Sequence, residues 1–105
     1  MTVKEWLVKT LDSVKCPLPM PRPRVLCADG FSISIQANQW VYCIPRKLLS
    51  NCEYTHVELG YASEYEELLD EYKEGPVYPY VPMEVVEKVI EKHGGIVGGS
   101  ARWKD

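Results

Sequence analysis

Long apolar runs are missing from this 105-residue chain, as are closely spaced cysteines, a strongly basic charge and a glycine-rich phosphate loop. No segment approaches the roughly 20 apolar residues that span a bilayer. The start, Met1-Thr2-Val3-Lys4-Glu5-Trp6, lacks the basic flank and apolar core of a secretory signal. Together these predict a soluble cytoplasmic protein. A formal charge of −3 and a pI near 5.4 argue against a general affinity for nucleic acid or anionic membrane. Cys16, Cys27, Cys43 and Cys52 include no pair two to four positions apart, and neither His56 nor His93 is spaced to complete a zinc site. No metal and no cofactor are expected, and the thiols read as small apolar side chains. Gly94-Gly95 and Gly98-Gly99 follow a helical pattern rather than preceding one, so they do not form a phosphate cradle.

What is present is globular. Hydrophobic residues make up 46% and charged residues 26%, with seven tyrosines, three tryptophans and one phenylalanine. A chain of this length forms one domain and buries roughly two-thirds of its unfolded surface. Residues 1–97 are expected to make that domain, with 98–105 a loosely held tail.

Thr2 and Glu5 have capping-box spacing, and Val3, Trp6, Leu7, Thr10, Leu11 and Val14 then form one helical stripe. The proline-alternating stretch 17–23 ends that helix and reads as a stiff strap across the fold rather than a ligand motif for another protein. Residues 24–37 are the clearest β signal. Asp29-Gly30 suits a two-residue type I′ turn that pairs Ala28 with Phe31 and Leu26 with Ile33. Trp40–Ile44 predicts either an extension of the second strand after a bend at Asn38 or a separate short strand, and Tyr54–Tyr61 a further strand. Ser63 and Glu66 have capping-box spacing for a helix burying Tyr65, Leu68, Leu69 and Tyr72. Tyr78–Pro82 reads as an extended connector into a last helix that buries Val86, Val89 and Ile90 and stops at Gly94-Gly95. The predicted class is α+β, an antiparallel sheet of three or four strands around the hairpin 24–37, with about three helices on one face.

Three phrases carry a resemblance: residues 24–37, the pieces Tyr42–Arg46 and Val57–Gly60, and the ending 77–86 with 90–96. They resemble small uncharacterised proteins encoded by tailed phages and prophages, over about two-thirds of the chain. The resemblance implies a phage or prophage gene expressed in a bacterial cytoplasm, and implies no activity.

Two candidate sites follow from the residues. Charge is unevenly spread: residues 1–24 carry +3, whereas 63–75 carry −5. Tyr61, Tyr65, Tyr72, Tyr78 and Tyr80 surround the acidic segment, which contributes Glu66, Glu67 and Asp70. Tyrosine is favoured at interfaces, so this set is expected to bind a host or phage protein; a homodimer through the polar hairpin face or an open sheet edge is the other expectation. The alternative is a small enzyme or ligand-binding protein with a pocket near Cys43, Arg46, His56 and Glu58. A thiol, an imidazole and a carboxylate are the groups of a nucleophilic site, provided they converge. Asp29 reads as a turn residue before it reads as a catalytic acid, and His93 as a favourable charge at a helix C-terminus.

Overall fold

The sheet grows outward from the Asp29-Gly30 turn. The computed structural model describes residues 1–15 and 20–100, so the prolines at 17 and 19 lie outside the described residues. Strands β1 (Arg24–Cys27) and β2 (Ser32–Gln36) form the hairpin, but its turn is longer than expected. Gly30 N–H donates to Cys27 O at 3.0 Å and Cys27 N–H to Phe31 O at 2.8 Å, which closes a three-residue loop. Gly30 takes the left-handed position that such a loop needs, with φ +94°. The Asp29 carboxylate accepts from Phe31 N–H at 2.9 Å and fixes the bend. Pairing is therefore Val25 with Ile33 and Leu26 with Ser32. A one-residue slip exchanges the faces of a strand. Val25 and Cys27, rather than Leu26, join Phe31, Ile33 and Ile35 in the core.

The sheet has five antiparallel strands, one or two more than expected, in the order β4-β3-β2-β1-β5. β3 (His56–Gly60) buries Val57 and Leu59 and turns His56 and Glu58 the other way. The additional strands come from segments expected to be irregular. Val77–Pro82, which contains the expected connector Tyr78–Pro82, is edge strand β4, where prolines need not donate to a ladder. Ile96–Ser100 is the opposite edge, β5, paired with β1. Residues 98–100 thus belong to the sheet and not to a loose tail, while 101–105 lie outside the described residues.

Helix α1 (Val3–Lys9) begins with the expected capping box: Glu5 N–H donates to the Thr2 hydroxyl at 3.1 Å and Thr2 N–H to the Glu5 carboxylate at 2.7 Å. The stripe does not continue as one helix. Thr10 caps α1, its hydroxyl bonding back to Trp6 O at 2.8 Å, and a short α2 (Leu11–Lys15) follows. α3 (Met83–Lys92) buries the predicted Val86, Val89 and Ile90, with Pro82 as its N-cap. α1 and α3 pack together and close the core against the inward residues of all five strands.

The sheet's other side is polar yet mostly covered. Ser32, Ser34, Gln36 and Arg24 are all buried. Gln36 exchanges two hydrogen bonds with the backbone of Arg22, at 2.9 and 3.0 Å, imitating a strand partner. The described part of the strap, residues 20–23, thereby crosses the fold. The Arg22 side chain has no exposure; it donates to Ala37 O at 2.6 Å and Leu7 O at 3.4 Å, and its Nε has no partner.

Candidate functional site

The segment Trp40–Ile44, expected as a strand, is a series of bends with one isolated bridge from Ile44 to His56. The cause is local. Asn38 Oδ1 accepts from Trp40 N–H at 2.7 Å, an Asx turn that redirects the chain. The Glu58 carboxylate accepts from Tyr42 N–H at 3.1 Å and anchors the bend to β3. From the other side, Tyr80 N–H donates to Tyr42 O at 3.1 Å. Tyr80 holds φ +53°, unusual for a bulky residue inside a strand and sustained only by surrounding structure.

These bonds assemble an aromatic surface. The rings of Tyr42 and Tyr80 lie 5.6 Å apart, and the Arg46 guanidinium sits 5.2 Å from the Tyr42 ring centre. Arg46 also donates to Trp40 O at 3.2 Å. Trp40, Tyr42, Ile44 and Tyr80 are 58%, 45%, 44% and 42% exposed, so four large apolar side chains face solvent within one neighbourhood. Beside Trp40 a groove of about 300 Å³ is lined by Val41 and Glu58 together with Met20 and Pro21 of the strap.

The acidic segment is organised differently from expectation. Ser63 does not cap a helix; it exchanges hydrogen bonds with the backbone of Ser32 at 2.8 and 2.9 Å, just past the end of β3. A 3-10 helix, Glu67–Tyr72, follows, with Glu66 as its cap. Its tighter winding breaks the predicted stripe: Leu69 is buried and Tyr72 half-buried, while Leu68 and Tyr65 are exposed. Of the residues expected on a tyrosine-and-carboxylate surface, Tyr61, Tyr65, Glu67, Asp70 and Tyr80 are exposed. The Tyr65 hydroxyl donates to Asp70 at 2.5 Å. Tyr78 is buried in the core and Glu66 is buried in an ionic cluster, so neither contributes to that surface.

The cluster joins three distant segments. His93 Nδ1 lies 2.6 Å from the Asp29 carboxylate at the hairpin turn, and Nε2 lies 2.7 Å from Glu66. With a carboxylate on each ring nitrogen, only the imidazolium can donate both hydrogen bonds. Burial opposes the charge on His93, but the bonds to Glu66 and Asp29 outweigh it and hold its pKa above the usual value. Burial likewise opposes the charge on Glu66. Hydrogen bonds from Leu68 N–H, Lys92 (2.9 Å) and His93 prevail and keep its pKa below the ordinary range. The bond from Phe31 N–H, then that from His93, lowers Asp29 in the same way. The His93 ring stacks on Phe31 with centres 3.9 Å apart. Every nitrogen and oxygen facing His93 is used, so the imidazole has no free nitrogen to offer a substrate.

Each residue of the alternative pocket bonds to groups outside the set. The buried Cys43 thiol shares its one proton between Asn38 O at 3.2 Å and Pro45 O at 3.3 Å, and burial raises its pKa. His56 Nδ1 is 2.9 Å from the Thr55 hydroxyl, Arg46 covers Tyr42 and Glu58 holds Tyr42 N–H. No hydrogen bond or ion pair joins any two of Cys43, Arg46, His56 and Glu58 among the described residues. Those residues also contain no group of three or more His, Cys, Asp or Glu arranged to hold a metal ion. No described helix is long and apolar enough to cross a membrane.

The sequence marks Trp40, Tyr42 and Ile44 as surface residues only through the bend signals on either side, Asn38 before them and Pro45 after them. Asp29 and His93 each have a local role in the sequence, with nothing to join positions 64 apart. Compared with known proteins, the chain matches no family model, no curated protein and no solved structure.

Proposed function

We propose that the chain is a non-enzymatic protein-binding module, acting as a phage or prophage accessory protein in the bacterial cytoplasm, with a host or phage protein as its partner. The observation that carries this reading is the exposed Trp40–Tyr42–Ile44–Tyr80 surface with Arg46 stacked on it. Tryptophan, tyrosine and arginine dominate the energetics of protein interfaces, and large apolar side chains exposed along one bend favour an interaction site. The hydrogen bonds that Tyr42 N–H donates to Glu58 and Tyr42 O accepts from Tyr80 hold the patch in shape before binding, which limits the ordering cost of association. Of the tyrosine-and-carboxylate set, Tyr61, Tyr65, Glu67 and Asp70 are exposed and would form a second contact region; Tyr72 is half-buried, and Glu66 and Tyr78 support the scaffold. The origin rests on the phrase resemblance described above.

The enzyme or ligand-binding reading draws less support. It needs the Cys43 thiol beside His56, and both make other hydrogen bonds. The test is affinity capture from bacterial lysate with the wild-type chain, Trp40→Ser and Tyr80→Ser as parallel baits. A stoichiometric partner lost from both variants supports the proposal. Equal capture by all three baits refutes it.

A further inference from the structure

Two exposed apolar patches of opposite charge lie toward opposite ends of β4. Near its C-terminal end, Tyr80 meets the Trp40–Ile44 bend, and the exposed cations Arg46 and Lys47 form the rim. At its N-terminal end, Val77 pairs with Glu74, and Tyr61 N–H donates to Pro76 O at 3.0 Å, which brings up the acidic segment. There Tyr61, Tyr65 and Leu68 are 52%, 71% and 38% exposed. They stand among the exposed carboxylates of Glu64, Glu67 and Glu71.

β4 is an outermost strand, yet it is poorly suited to accept another strand along its length. Pro79 and Pro82 have no N–H to offer, and the left-handed Tyr80 interrupts the extended backbone. Anything that approaches this edge engages the patches at its ends by side-chain contact.

We propose that a second copy of the chain docks beside β4 about a two-fold axis, each copy's basic-rimmed aromatic patch receiving the other's acidic Tyr65–Leu68 patch. Antiparallel placement of two β4 strands, each about 20 Å long, sets the C-terminal end of one beside the N-terminal end of the other. Both contacts then form at once, as a self-complementary two-fold interface requires. The rim charges select this orientation, because a parallel placement sets like charge against like. The inference rests on reading the aromatic patch as a contact surface, but assigns it a different occupant from a host protein.

The experiment is sedimentation velocity of the full chain over a concentration series at low and high salt. A monomer–dimer equilibrium that weakens with salt is expected. Arg46→Glu with Lys47→Glu raises the dimer Kd about tenfold or more, as does Glu64→Lys with Glu67→Lys and Glu71→Lys. An equimolar mixture of the two variants restores the dimer, because each reversed patch then faces its complement. Circular dichroism of each variant verifies that it is folded. A chain monomeric at every concentration overturns the proposal. A dimer insensitive to both reversals also overturns it, and is the result expected of pairing at the β5 edge. Trp40-dependent capture of another protein without self-association removes this inference and leaves the binding-module reading standing.

Discussion

Replacing His93 by alanine removes the group on which three segments converge. Glu66, with a side chain only 1% exposed, loses its bond to Nε2 and keeps Lys92 and Leu68 N–H. Breaking a buried ion pair by deleting one partner costs about 3–5 kcal/mol. Because Lys92 still balances Glu66, the lower end applies, about 3 kcal/mol, which includes the lost stacking on Phe31. Single domains have roughly 5–15 kcal/mol of stability in total, so the variant should melt about 12–20 °C below the wild type. The effect should depend on pH in a defined direction. The pKa of His93 is raised in the folded state, so its contribution is complete below the unfolded value and is lost as pH rises through the folded one. Asp29 and Glu66 are lowered, so theirs is present above their unfolded values and is lost as pH falls through the folded ones. Wild-type stability should therefore be highest between the ordinary carboxylate and imidazole ranges. Urea unfolding of wild type and His93→Ala at several pH values checks this. A difference under about 0.5 kcal/mol at pH 6, or one unchanged on the alkaline side of the window, would refute the reasoning.

Arg22→Ala should destabilise by about 3 kcal/mol, since the carbonyls of Leu7 and Ala37 lose a buried donor and a cavity opens; Arg22→Met, which fills the space, should cost less, and chemical denaturation ranks the two. A Cβ at Gly99 would overlap the Trp6 ring, so Gly99→Ala should lower stability by about 1–3 kcal/mol, read as a lower melting temperature. In a Cys16→Ser background the remaining thiols should react slowly with an aromatic disulfide in the native state and quickly in urea, because Cys27, Cys43 and Cys52 are buried and burial pushes Cys27 up to about 11. Trp40→Ser should leave stability within about 0.5 kcal/mol of wild type by the same denaturation assay, as expected of an exposed residue.

The parts of the fold that were legible in the sequence are those where local chemistry and burial agree. The Thr2–Glu5 capping box, the hairpin segments and the α3 stripe each specify their own geometry within a few residues. The parts that were not legible depend on partners distant in the chain. Val77–Pro82 and Ile96–Ser100 carry prolines and glycines that argue locally against strands, and become strands because β3 and β1 offer unpaired edges. Ser63 has the spacing of a cap but is claimed by Ser32, which moves the helix start to Glu66. The hairpin register turned on one residue, because the Asp29 carboxylate favours the longer loop that also brings it to His93. The tyrosine-rich set was half legible: composition identified the region, and only packing separates exposed Tyr65 and Tyr80 from buried Tyr78.

The central claim, that the Trp40–Tyr42–Tyr80 surface is where the chain meets its partner, is most directly tested by amide hydrogen exchange of the free chain against its purified complex. Slower exchange confined to residues 40–46 and 78–81 is the predicted footprint, with the sheet interior unchanged. Protection confined to β5, or spread with no change at residues 40–46, would contradict the account.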